Sequence, residues 1–142
     1  MKQKKLKNAP LKEAIFEVRW APVLDVNGLP EDSGYQLAQG LFAKDIRQKF
    51  PVHKTVNTIP DNFRIFPTVQ HQFWTGELTW PVVQLGPGIL SVNNTEANYI
   101  WTETFHPHIL WALDVLETSY EKEFVFKSAA LRYIDAVDLM NL

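Results

Sequence analysis

Cysteine is absent from the chain. Disulfide scaffolds, thiolate zinc sites and thiol nucleophiles are excluded with it. An excess of positive charge is missing too. The 142 residues carry 14 basic and 16 acidic groups, a net charge of −2, which excludes nucleic-acid binding by bulk charge. No apolar run approaches the roughly 20 residues of a membrane span. No apolar segment follows the charged N-terminus as it would in a secretory signal. No G-x-S-x-G turn is present to raise a nucleophile. Gly86-Pro87-Gly88 lacks the Lys-Ser/Thr pair and the following helix of a phosphate loop. The expectation is a cytoplasmic protein with no membrane association and no cofactor.

Apolar and aromatic residues are plentiful. Hydrophobic residues make up 46% of the chain, with five Trp, nine Phe and four Tyr. That composition suits one domain with an aromatic core and is incompatible with intrinsic disorder.

Charge is unevenly placed. Lys2, Lys4, Lys5, Lys7 and Lys12 are five of the fourteen basic residues, and all precede the first acidic one, Glu13. The remainder is acidic, with nine basic groups against sixteen. Residues 1–10 read as a flexible basic leader and residues 11–142 as a single domain. The leader either touches phosphate or an acidic partner, or is a solvated run that keeps the first strand's edge soluble. The acidic body favours the second reading and speaks against nucleic acid.

Leu11 to Trp20 alternates with period two: Ala14, Phe16, Val18 and Trp20 on one face, Glu13, Glu17 and Arg19 with Ile15 on the other. Asn27-Gly28-Leu29-Pro30 is turn chemistry. A helix from about Ser33 to Lys49 is indicated by Ala38, Phe42, Ile46 and Phe50 at every fourth position, a stripe that Leu41 widens. His53 to Asp61 reads as a loop or short strand. Phe63 to Trp74 reads as an extended segment interrupted by Pro67, and Thr75-Gly76-Glu77 as a turn. Val82 to Leu85 and Ile89 to Asn93 flank Gly86-Pro87-Gly88, a hairpin signal. A second helix, about Thr104 to Tyr120, carries Phe105, Ile109, Ala112, Leu113 and Leu116 inward, with Trp111 and Val115 extending that face. Phe124 to Val137 is the last strand. It is apolar on both faces, which predicts a central or doubly covered position.

Helices separated by runs of hairpin-linked strands predict an α+β fold. The expected architecture is a mostly antiparallel sheet of about five to six strands with two helices on one face. The other face, carrying Ile15 and, by register, Leu131, Tyr133 and Val137, should be solvated or covered. The apolar ending Leu139-Met140-Asn141-Leu142 suggests the first half of a longer protein.

Chemistry is sparse. His106-Pro107-His108 would place its imidazoles about 200° apart on a helix, wrong for joint ligation, so no metal site is expected. Glu13/Glu17 and Asp135/Asp138 read as surface carboxylate pairs rather than catalytic ones, and no catalytic residue is assigned. Trp74, Trp80, Trp101 and Trp111 with Phe66 and Phe105 either build the core or line a pocket. Within such a pocket, Arg64 or Arg132 could hold an anion, with Trp74 and Trp101 as ligand-binding neighbours. Arg132, inside an apolar strand, must otherwise find a carboxylate or a row of backbone carbonyls. Glu17 and Glu103 are its candidates for a structural ion pair, and partial burial of Arg132 is expected.

Several segments together resemble a known family. They are Asn8-Ala9-Pro10-Leu11, Glu13-Ala14-Ile15-Phe16-Glu17-Val18-Arg19-Trp20, Phe73-Trp74, Gln84-Leu85-Gly86-Pro87-Gly88 with Leu90-Ser91-Val92-Asn93, Tyr99 with Trp101, and Leu131-Arg132-Tyr133-Ile134-Asp135. In that order they resemble the N-terminal half of a sporadically distributed, uncharacterised prokaryotic protein family. Its members are conserved hypothetical proteins with no assigned catalytic residues. The resemblance implies a second half after the Arg-Tyr-Ile-Asp segment and no particular chemistry.

Two functions compete. One is a non-enzymatic protein-binding or self-associating module, acting as a homodimer or with a missing C-terminal half. The other is a small-molecule sensor or enzyme for an anionic ligand, with a pocket between helices and sheet.

Overall fold

A computed structural model describes residues 11–20, 23–24, 30–32, 34–56, 69–95, 98–121 and 125–135. Strand β1 is Leu11–Trp20, β2 Val23–Leu24 and β3 Pro30–Glu31. Helix α1 is Tyr35–Ile46. Then come β4 (Val52–Thr55), β5 (His71–Gly76), β6 (Thr79–Gly86) and β7 (Ile89–Thr95). A π-helical turn, Trp101–Phe105, leads into α2 (His106–Ser119), and β8 (Phe126–Asp135) closes the order. The fold is α+β. Six strands form one antiparallel sheet in the order β4-β5-β6-β7-β1-β8, and β2 and β3 make a separate two-stranded ladder.

The central hairpin follows from its turn residues. Gly86 pairs with Ile89, leaving Pro87 and Gly88 as the loop, with Gly88 at φ 75°. Proline followed by a glycine at positive φ is the chemistry of a type II turn. The loop is thus one residue tighter than the sequence suggests. The β5–β6 turn falls on Glu77 and Leu78, since Gly76 pairs with Thr79. Leu78 takes φ 47° although it is not glycine.

Both helices are crossovers. Counting antiparallel neighbours along the sheet, β1 and β4 run in the same direction, and so do β7 and β8. Parallel strands need a long connection, here α1 and α2. The crossovers leave oppositely directed strands and travel in opposite directions across the sheet. A common hand therefore lays both helices on one face.

That face holds the core. Directly paired residues share a side, so Ala14 and Val18 line up with Asn94 and Leu90, and Leu90 and Val92 with Leu85 and Val83. Against them pack Ala38, Phe42, Ile46 and Phe50 from α1 and its end, Phe105 from the π-helical turn, and Ile109, Ala112, Val115 and Leu116 from α2. Phe42, Ile46, Phe50 and Phe105 are fully buried. The Phe42 ring meets the Phe73 ring edge-on at 5.7 Å. Burying side chains of this size contributes about 1.5–3 kcal/mol each. Leu41 does not widen the stripe: it faces outward, as does Leu37.

β8 departs most from expectation. It is neither central nor doubly covered but is the outer strand beside β1, and nine of its ten residues are exposed. Its register also corrects the face assignment. Leu131 pairs with Phe16 and Tyr133 with Ala14, which puts both on the helix side. Arg132 pairs with Ile15 and takes the opposite side. Periodicity could not distinguish these, because an exposed outer strand with apolar residues on both faces has the same pattern as a covered one. Val137 and residues 1–10 lie outside the described residues.

Candidate functional site

The outer strand is anchored through side chains on both faces. On the face away from the helices, Arg132 Nη2 donates to Glu17 Oε2 at 2.9 Å, and Arg19 Nε donates to the same oxygen at 3.1 Å. Glu17 is the less exposed member at 15%, while Arg132 is 57% exposed. The partial burial expected of Arg132 is therefore corrected. Among the described residues Glu17 is the carboxylate it meets, and Glu103 lies exposed in the turn before α2. An edge strand leaves one flank of such a pair open to water, so Arg132 needs no enclosure.

On the helix side, the hydroxyls of Tyr133 and Tyr99 stand 3.0 Å apart, with their rings edge-on at 6.0 Å. The Tyr99 ring continues inward to Phe105 at 5.5 Å. Burial, then the hydrogen bond and field of Tyr133, raise the Tyr99 phenol above its ordinary range.

Among the described residues, the proposed ligand residues Trp74 and Arg132 do not converge. Trp74 lies on β5 and Arg132 on β8, with three strands between them, or about 19 Å at the usual spacing. Trp74 is buried with its ring edge-on to Trp80 at 5.1 Å. Its indole N–H has no acceptor among the described residues. Trp101 stacks on the His106 ring at 5.0 Å and belongs to the π-helical turn. Arg64 lies outside the described residues. Between helices and sheet the described residues form a contiguous apolar core. A shallow depression does exist on the outer side of α1, lined by Gly40, Ala43, Lys44, Arg47, Gln48 and Pro51. Its cations sit at the helix C-terminus, where they complement the dipole.

The face away from the helices carries a polar ladder that periodicity did not reveal. Gln72 donates to Gln84 at 3.0 Å. Gln84 donates to Ser91 at 3.1 Å and Asn93 at 3.3 Å. Asn93 donates to Glu13 at 2.9 Å. Ser91 and Asn93 are buried, so each amide satisfied across the strands avoids a desolvation penalty of about 1–3 kcal/mol. Period-two reading marks these residues only as polar. Strand register alone shows that they form a chain.

Two further clusters were not foreseen. Asp32 Oδ2 accepts from Trp20 Nε1 at 2.7 Å, Tyr120 OH at 2.5 Å and the Gly88 backbone N–H at 3.1 Å. It ties together the end of β1, the β6–β7 turn and the end of α2. Burial first, then Asp32, pushes the Tyr120 phenol above its ordinary range. At the far edge of the sheet, His53 and His71 lie with ring nitrogens 3.0 Å apart. Burial lowers His71 below the ordinary imidazole range, and His53 beside it adds to the effect.

Among the described residues no group of three or more His, Cys, Asp or Glu is arranged to hold a metal ion. No helix among them is long and apolar enough to cross a membrane. No family model, curated protein or solved structure matches the chain.

Proposed function

We propose that the chain is a non-enzymatic, self-associating module that pairs through β8 with β8 of a second copy. The observation supporting this reading is the ten-residue outer strand, with Leu131, Tyr133 and Ile134 44–47% exposed. A long, apolar, uncovered edge is a template for another strand, and soluble proteins ordinarily blunt it. Apolar side chains left in water at such an edge favour a covered state.

The sequence of β8 supports a second copy as the occupant. In an antiparallel pairing centred on Leu131, Leu131 meets its own counterpart and Ala129 falls opposite Tyr133. Lys127 falls opposite Asp135 at both ends. Centring on Arg132 instead would set two guanidinium groups against each other. Isologous pairing of this kind is the commonest symmetry of soluble oligomers. The cytoplasm is the setting proposed with it. The resemblance to the prokaryotic family assigns no chemistry that competes with this reading. The anionic-ligand alternative lacks a convergence of Arg132, Trp74 and Trp101.

Light scattering behind a sizing column tests the proposal. The wild-type chain should run at twice its 16.4 kDa mass. Leu131→Arg, which sets like charges at the two-fold axis, should run as a monomer. Lys127→Asp should weaken the dimer, and Lys127→Asp with Asp135→Lys should restore it. A wild-type chain that stays monomeric up to about 100 μM, or a dimer indifferent to Leu131→Arg, refutes it.

A further inference from the structure

Strand pairing brings together two of the chain's four histidines. In the β4–β5 ladder His53 is opposite Phe73 and Thr55 opposite His71. Paired residues share a side and alternate residues return to it, so His53 and His71 are diagonal neighbours on one face. His53 Nε2 and His71 Nδ1 lie 3.0 Å apart. The His53 ring lies flat on Phe73, with centroids 4.9 Å apart and 21° between planes, which restricts its rotation.

The other nitrogen of His71 favours one tautomer. Nε2 is 2.9 Å from Gln39 Oε1 on α1, and an amide oxygen only accepts. The orientation of that amide is supported by its Nε2, which donates to the Gln36 carbonyl at 3.5 Å. The His71 proton therefore sits on Nε2, and the Nδ1 lone pair is presented to His53. A histidine whose far N–H is held by an oxygen while its near nitrogen is bare is arranged as metal-ligating histidines usually are.

The geometry points to a two-histidine site for a borderline divalent transition-metal ion such as Zn²⁺, ligated by His53 Nε2 and His71 Nδ1 with Gln39 orienting His71. Metal–nitrogen bonds of about 2.0–2.1 Å separate two ligands by about 2.9 Å at a right angle and about 3.4 Å at the tetrahedral angle. The observed spacing lies inside that interval, so binding needs ring shifts of a few tenths of an ångström. In the metal-free state His53 donates its Nε2 proton to His71. On binding, that proton moves through solvent to His53 Nδ1, and both imidazoles stay neutral. The exposed side of His53 leaves room for water to complete the coordination. Imidazole suits zinc, copper and nickel and not the hard cations. Lys54 shares no side with the pair and is engaged by Glu77 at 2.5 Å.

The test is a titration of the untagged, full-length chain with Zn²⁺ at pH 7.5, followed by calorimetry and by histidine-ring NMR. One ion per chain should bind, with the His53 and His71 ring signals moving and those of His106 and His108 unmoved. His53→Ala should abolish binding, and Gln39→Ala should weaken it by about tenfold. A His106→Ala, His108→Ala double variant should bind as the wild type does. If His71→Ala fails to fold, His53→Ala at an exposed ring remains decisive. No saturable binding up to about 1 mM Zn²⁺, or binding undiminished in His53→Ala, overturns the site.

Discussion

The Asp32 carboxylate accepts the Trp20 indole N–H at 2.7 Å, joining the end of the first strand to the residues just before the first helix. The same oxygen takes the Tyr120 hydroxyl and the Gly88 amide. One side chain thus holds a strand, a hairpin turn and a helix end in register. Asp32→Ala removes the acceptor from three donors in a partly buried site. The expected loss is about 3 kcal/mol, given about 1.5–3 kcal/mol for a hydrogen bond to a charged group and incomplete additivity. Asp32→Asn keeps an oxygen and should lose less. Thermal or urea unfolding followed by Trp fluorescence measures both, and equal, negligible losses would remove Asp32 from this role.

Leu78 occupies left-handed backbone at φ 47° in the β5–β6 turn, and its side chain is 69% exposed. That conformation costs a non-glycine residue about 1–2 kcal/mol, while glycine's extra freedom in the unfolded chain takes back about 0.5–1 kcal/mol. Leu78→Gly should therefore stabilise the protein by about 0.5–1 kcal/mol. A lower denaturation midpoint than wild type would show that Leu78 contributes something besides the turn.

Arg132 shares Glu17 Oε2 with Arg19 and is more than half exposed. Exposed ion pairs contribute little, because water screens them and ordering long side chains costs entropy. Arg132→Met should change stability by less than about 0.5 kcal/mol. A loss several times larger in urea unfolding would mean that the pair is more enclosed than its exposure indicates.

His108 packs against the Phe50 ring at 5.2 Å. Burial lowers its imidazole below the ordinary range, and the Lys49 ammonium lowers it further. Lys49 itself lies over the Trp111 ring at 4.2 Å. The unfolded chain binds this proton more readily than the folded one, so the unfolded state gains as pH falls. The contribution to stability is intact above the unfolded value of about 6.5 and is lost as pH drops from there through the lower folded value. His108→Gln should flatten the stability-versus-pH curve in that window. A curve of unchanged slope between pH 7 and 5 counts against the assignment.

The legible parts of the fold were those carried by local spacing. Ala38, Phe42, Ile46 and Phe50 recur at helical intervals, and the structure buries all four. Ala14, Val18 and Trp20 alternate, and all three are buried on one side of β1. Pro87 and Gly88 marked their turn by backbone chemistry alone. Leu41 misled because a period admits neighbours on the stripe's flank, and only the partner surface decides whether it extends that far. The β5–β6 turn was misplaced because Leu78 bears no turn signature.

The candidate sites were less legible, since each is assembled by residues far apart in the chain. Glu17 and Arg132 meet only because β1 pairs with β8. His53 and His71 meet only because β4 pairs with β5. Asp32 gathers donors from three elements, and nothing around it in sequence announces them.

By itself the sequence determined the fold class, the inward faces of both helices and of the first strand, and the absence of thiol chemistry. These depend on residue identity and on the 3.6 and 2.0 periods, both local properties. The tertiary structure alone decided that the last strand lies at the sheet's edge, that Arg132 stands in water beside Glu17, and that two histidines share one face. Those are matters of which strand lies beside which. Pairing energy depends on side chains brought together across long loops, so no window along the chain contains it.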